Sequence, residues 1–146
     1  MTGERFAAVY SGTATKFHDL TVEDVGFRSM VLIDGTQFTL DGSWGRPENW
    51  ECWGNATMRL VGTEATVDTD CFTQTLEHAS VTSNGGGREA VCWGADPDVS
   101  LPDDFVDAVL MDLEPEITDR EGVESVAVVS AACESAAGAA PVAVDY

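Results

Sequence analysis

Basic residues are scarce in this sequence. One lysine, Lys16, and six arginines face 26 aspartates and glutamates in 146 residues. A nucleic-acid backbone is gripped by clustered Lys and Arg, and an anionic membrane surface by the same charges, so composition argues against both partners. Apolar runs are short as well. The most apolar stretch, Val123 to Val144, is interrupted by Glu134, Gly138 and Pro141, and residues 1–15 lack a basic segment followed by an apolar run. Neither a membrane span nor a secretory leader is expected.

Cysteine is limited to Cys52, Cys71, Cys92 and Cys133, with no C-x-x-C pair, and histidine to His18 and His78, with no finger spacing. This pattern argues against zinc and fits free buried thiols in a reducing cytosol; no metal site is expected. There is no G-x-G-x-x-G, no P-loop and no G-x-S-x-G, hence neither a dinucleotide cradle nor a nucleophile elbow. Gly85-Gly86-Gly87 leads into Arg88, Glu89 and a strand-like run rather than a helix, and reads as a hairpin turn. The acidic pairs Asp96/Asp98, Asp103-Asp104 and Glu114/Glu116 read as solvated surface in so acidic a chain.

What is present is a core. Hydrophobic residues make up 44% and the formal charge is −19, which separates this chain from a disordered acidic tail. Its length suits one domain, residues 1–146. Such a charge repels itself at low ionic strength, and the Debye length falls to about 3 Å at 1 M salt. The composition therefore points to a halophilic protein of a salt-rich cytoplasm.

The first two-thirds read as β. Arg5–Tyr10 is a short apolar run, Ser11–Asp24 a polar loop, and Phe27–Ile33 and Thr36–Leu40 flank Asp34-Gly35 as a two-residue hairpin with positive φ at both turn positions. Met58–Val61, Ala65–Asp68 and Thr75–His78 follow as strands. The last third switches to helical period. Ser100-Leu101-Pro102 opens a helix whose Phe105, Val106, Val109 and Leu110 share a face. Thr118-Asp119-Arg120-Glu121 is a capping box for a second helix through Val123, Val126, Ala127, Ser130 and Cys133, which Gly138 stops. Pro141–Val144 is a closing strand or extended tail. Strands first and helices later predict an α+β fold, an antiparallel sheet with helices on one face. Met30-Val31-Leu32-Ile33 is apolar on both faces, so another subunit is expected to cover the second face.

Two loops carry candidate ligand-binding residues. Lys16, His18 and Asp19 lie together in the polar loop, where His18 reads either as a substrate contact or as a plain surface histidine. Trp44, Trp50 and Trp53 near Arg46 form the strongest binding signal: an indole can stack on a sugar ring while a guanidinium holds a hydroxyl or carboxylate. The competing reading is a loop anchored by its aromatics. No residue is assigned a catalytic role.

Asp41-Gly42-Ser43-Trp44-Gly45-Arg46-Pro47 resembles the SW-x-RP segment that follows the first hairpin in the glucose–fructose oxidoreductase / inositol dehydrogenase (Gfo/Idh/MocA) family. The run from Trp53 to Asp68 is similar to that family's WG…T…L…VGTEGTL…D stretch, and Cys71-Phe72-Thr73-Gln74 stands where an AFAQ-like run often follows. Asp104-Phe105-Val106-Asp107-Ala108-Val109, Pro115, Thr118, Glu121-Gly122, Glu134-Ser135-Ala136, Gly138 and Pro141-Val142 follow the family's closing order. The resemblance implies the family's C-terminal domain: an open, mostly antiparallel sheet with helices packed on one face, which lines a sugar or polyol site and builds a homo-oligomer through the sheet. It also implies NAD or NADP for the complete enzyme, bound by an N-terminal Rossmann domain that this chain lacks. The family's E-K-P and Asp-x-x-x-His motifs precede the matched region, and Lys16 is followed by Phe17, so no catalytic residue and no cofactor-binding residue carries over. The substrate-side candidates remain Lys16, His18, Asp19, Trp44 and Arg46.

Two functions are expected from this: a stand-alone or truncated C-terminal domain of a cytoplasmic sugar-type oxidoreductase, incomplete alone and working with a separate Rossmann partner, or a non-catalytic sugar-binding or oligomerisation module. The charge makes its own prediction. Thermal unfolding followed by circular dichroism should show a melting temperature that climbs steadily from 0.1 to 2 M KCl; a flat or falling curve contradicts the halophilic reading.

Overall fold

The computed structural model describes residues 3–45, 56–80, 87–92 and 97–146, with the backbone alone at 80, 87–92, 97 and 98. The chain forms two compact units, one of residues 1–48 and 114–146, the other of residues 49–113. In the first unit, β1 (Phe6–Ala14), β2 (Val25–Leu32), β3 (Gln37–Asp41) and β8 (Val142–Ala143) form a sheet of order β3-β2-β1-β8, and α2 (Asp119–Gly138) packs on it. In the second, β4 (Thr57–Val61), β5 (Ala65–Asp70), β6 (Thr75–Ser80) and β7 (Gly87–Cys92) pair in sequence order, and α1 is Pro97–Met111. Among the described residues every strand pair is antiparallel. The architecture is α+β.

Period-two alternation sorts the first sheet. Val9 and Ser11 of β1 and Met30 and Leu32 of β2 are buried, while Tyr10, Phe27 and Ile33 on the opposite side are exposed. Val9 and Met30 are register partners; with Ala131 and Ala132 of α2 they form the core, flanked by Phe6, Phe38, Val128, Val142 and Val144. Phe6 meets Phe38 edge-on with ring centroids 5.5 Å apart.

Strand β1 runs four residues beyond the expected stop at Tyr10, because Ser11 to Ala14 continue the ladder opposite Arg28 to Val25. The hairpin also differs. Gly35 has φ +89° while Asp34 is not among the positive-φ residues. The Gly35 N–H donates to the Leu32 carbonyl and the Leu32 N–H to the Thr36 carbonyl, both at 2.9 Å. This is a three-residue turn closed by a glycine bulge.

The buried side of α2 is the small-residue side. Ala131, Ala132 and Ser135 are buried, whereas Val123 and Val126, on the face the sequence periodicity selects, are 66% and 64% exposed. Small side chains let the helix approach β1 closely enough for a direct bond: the Ser135 hydroxyl accepts from the Ser11 N–H at 2.9 Å and donates to the Ala140 carbonyl at 2.6 Å. The capping box forms as expected, with Thr118 and Glu121 exchanging side-chain bonds. Gly138 is the last helical residue and Ala139, at φ 49°, takes the left-handed cap. On α1, Phe105, Val106, Val109 and Leu110 are all exposed, while Ala108 is buried. Cys71 and Cys133 are free and exposed, which corrects the expectation of buried thiols there: Cys71 sits in the β5–β6 turn and Cys133 on the outer side of α2. Cys52 and the side chain of Cys92 lie outside the described residues.

At the carboxyl end, the Tyr146 hydroxyl accepts from the Phe6 N–H at 2.9 Å and donates to the Phe6 carbonyl at 3.1 Å, under the Arg5 guanidinium. Arg5 is also paired with Glu124 of α2, whose carboxyl it holds below its ordinary range.

The two serines give opposite predictions. Ser135→Ala strands the Ser11 N–H and should cost about 1–3 kcal/mol. Ser11→Ala removes a hydroxyl that is buried without a hydrogen-bond partner among the described residues and should leave stability unchanged or raise it. Urea midpoints at constant m-value read both.

Candidate functional site

The site is built around a residue the sequence reading passed over. Asp24 ends the loop between β1 and β2 and is completely buried. Its carboxylate accepts from three successive backbone amides, Lys16 at 2.8 Å, Phe17 at 2.7 Å and His18 at 2.8 Å, and lies 3.2 Å from the His18 ring Nδ1. Its own N–H donates to the Ala14 carbonyl at 3.1 Å, and its carbonyl accepts from the Trp44 N–H at 3.0 Å and the Gly45 N–H at 3.3 Å. One residue thus ties the end of β1, the start of β2 and the exit from β3. Burial by itself would push this carboxyl up; the donations from Lys16, Phe17 and His18 outweigh it and bring it down from 3.8 to about 2.

The two candidate loops meet here. The His18 imidazole stacks on the Trp44 indole, with centroids 4.8 Å apart and planes 12° from parallel. The indole Nε1–H donates to the Glu23 carbonyl at 3.0 Å, which fixes the ring. Trp44 stays half-exposed and the His18 side chain 38% exposed, so both present surface to solvent. A Cβ at Gly45 would overlap the neighbouring Phe17 ring. Gly26 and Gly42 make similar room for the Arg28 guanidinium.

Of the five candidates, Lys16, His18 and Trp44 converge on Asp24. Asp19 is exposed in the same loop. Arg46 lies outside the described residues, as do Trp50 and Trp53. Two signals in the sequence bear on Asp24: its position at the junction of a polar loop and an apolar strand, and the Gly26 two residues on. Neither distinguishes it from its neighbour Glu23 in a chain with 26 acids. His78 is half-buried in β6, opposite Val67, in the other unit.

The second unit carries a polar sheet face. Arg59 pairs with Asp68 at 3.6 Å, and with Thr57, Asp70, Thr75 and Glu77 they line a shallow cleft of about 270 Å³. Asp68 stands directly opposite Glu77 in the register, with Arg59 on its other side, an arrangement in which the guanidinium offsets a like-charge pair. Among the described residues no group of His, Cys, Asp and Glu is arranged to hold a metal ion.

A dinucleotide's pyrophosphate needs free N–H groups at a helix start. The start of α2 is occupied by its own capping box and carries Asp119 and Glu121 in the first turn, which would repel phosphate. Among the described residues no helix is long and apolar enough to cross a membrane.

Neither a protein-family model nor a curated protein sequence matches the chain. Solved structures do match it in fold. Levoglucosan dehydrogenase in complex with NADH superposes with a TM-score of 0.84 at 16% identity, over 97% of this chain and 45% of the dehydrogenase. An oxidoreductase domain protein from Kribbella flavida gives 0.82 at 14% identity, over 99% and 46%. The WlbA dehydrogenase from Bordetella pertussis, in complex with NADH and UDP-GlcNAcA, gives 0.69 at 20% identity, over 97% and 40%. The chain has the α+β fold of one part of such oxidoreductases, and spans less than half of their length.

Asp24 sets a pH dependence. Its folded value lies below its ordinary one, so its contribution to stability is complete above about pH 4 and is lost as pH falls through about 2. Asp24→Asn should remove that acid limb and lower the melting temperature by about 5–10 °C. An Asp24→Asn variant as stable and as acid-labile as the parent contradicts the assignment.

Proposed function

We propose that this chain is the C-terminal, substrate-side domain of a Gfo/Idh/MocA-type NAD(P)-dependent oxidoreductase acting on a sugar or polyol. It is catalytically incomplete by itself, and a Rossmann domain completes the enzyme. The observation that carries this reading is the fold match over nearly the whole chain to one part of NADH-binding dehydrogenases, together with the motif order from Asp41 to Val142. The sugar class is supported by what those proteins are solved with: UDP-GlcNAcA in one and L-sorbose in another.

Residues 1–146 act as one domain in this reading, and the chemistry divides between two parts. The Rossmann partner supplies the nicotinamide, which accepts or donates hydride, and the acid–base groups. This chain supplies a wall of the site: Lys16, His18, Asp19 and Trp44, with Arg46 beyond the described residues. The stacked imidazole and indole offer an aromatic surface of the kind that meets a sugar ring. Lys16 and Asp19 offer a cation and an anion for its hydroxyls. The same reading places the protein in the cytoplasm of a salt-rich cell.

A second reading, a sugar-binding or oligomerisation module without catalysis, is favoured by one observation. Tyr10, Phe27 and Ile33 are exposed together on the outer side of the first sheet. This suits a second copy of the chain there, and such a homo-oligomer is compatible with the first reading too.

Mixing the purified chain with a separately expressed Rossmann domain that carries G-x-G-x-x-G and E-K-P motifs, from the same genome, should give NAD(P)-dependent sugar oxidation that neither part shows alone. Absence of turnover with every such partner rejects the split-enzyme reading. Equilibrium sedimentation in 2 M KCl should show a dimer or larger assembly; a monomer at all concentrations rejects the oligomer.

A further inference from the structure

We infer that Asp24 fixes His18 in a single tautomer, so that the ring presents an unprotonated Nε2 as a hydrogen-bond acceptor for a hydroxyl of a neutral polyol. This rests on the reading of the site as sugar-facing. The argument is one of donors and acceptors. Asp24 is completely buried, and three amide N–H groups point at its carboxylate. Such an environment holds the ionised form, which only accepts. The His18 Nδ1 lies 3.2 Å from one of its oxygens, and two acceptors cannot share a hydrogen bond without a proton between them. The proton therefore resides on Nδ1, and in a neutral imidazole Nε2 is left with a lone pair.

The geometry is held from three sides. The His18 N–H is bonded to the same carboxylate oxygen as its ring, so backbone and side chain are clamped together. The Trp44 indole lies flat against one ring face. The indole is fixed in turn through its Nε1–H on Glu23 and its backbone N–H on Asp24. Turning the imidazole over would break the Nδ1 contact and leave Asp24 one donor short. What remains open is the outer part of a side chain that is 38% exposed.

This arrangement selects by chemistry. A hydroxyl can donate to the Nε2 lone pair; a carboxylate at that position would meet a second acceptor. His18 is thus the ligand-contacting residue and Asp24 the positioning residue behind it.

The test reads tautomers directly on the parent chain. The full chain, with its histidines labelled with ¹⁵N, is examined in 2 M KCl at a pH where imidazole is neutral. It has two histidines, and His18→Gln identifies the signal of the first. Proton on Nδ1 is the expected result; proton on Nε2, or an even mixture, overturns the inference. Myo-inositol is then added, with D-gluconate as the carboxylate-bearing comparison. Inositol should shift the His18 Nε2 signal more than gluconate does. A correct tautomer with no response to inositol overturns the ligand contact. In the reconstituted enzyme, His18→Ala should raise KM about three- to tenfold with kcat little changed, and His18→Gln should recover part of that loss. Loss confined to kcat overturns the binding role. These readings separate from the split-enzyme proposal, because the tautomer is measured on the chain without any Rossmann partner.

Discussion

A carboxylate removed from water has to be met by donors, and the first unit is organised around meeting the one on Asp24. A buried charge without partners would lose several kcal/mol. Here the loop after β1 turns so that three consecutive amides point inward at the same group. That turn decides where Lys16, Phe17 and His18 stand. The Asp24 backbone carbonyl then draws in Trp44 and Gly45 from the far side of the sheet. Two loops separated by about twenty residues of strand and hairpin are brought together by the hydrogen-bonding needs of one side chain and its own peptide group.

The helix on this sheet is held by a second, smaller device of the same kind. Ala131, Ala132 and Ser135 bring α2 close to β1, and one hydroxyl serves the strand amide and the chain leaving the helix. The stop of α2, the β8 pairing and the Tyr146 clasp follow from that closeness. Large apolar side chains at the same positions would bury more area but would hold the helix too far from the strand for the bond to form.

Much of the fold was legible in the sequence. The capping box of α2, the strands around Val9, Met30 and Val67, and the switch from period two to helical period all stand where residue pattern places them. The reading failed where burial, rather than periodicity, decides. Val123 and Val126 trace an apolar stripe along α2, yet the helix buries its alanines, because approach distance to β1 outweighs side-chain size. Phe105, Val109 and Leu110 trace another on α1 and are exposed. Periodicity locates a face; it does not say what lies against it. The Asp34-Gly35 turn shows a related limit, since the dipeptide marks a hairpin but the ladder beyond it sets how many residues the turn spans.

The sequence by itself determined the element types, the excess of negative charge, the lack of a glycine-rich dinucleotide turn and the two loops with binding chemistry. Those are properties of local residue pattern and of counting. The tertiary structure decided which of 26 acids is buried among donors, that His18 and Trp44 lie face to face, and which nitrogen of the imidazole meets Asp24. Those depend on which groups lose their water and which donors can reach them, and desolvation is a property of the folded arrangement that no stretch of chain carries on its own.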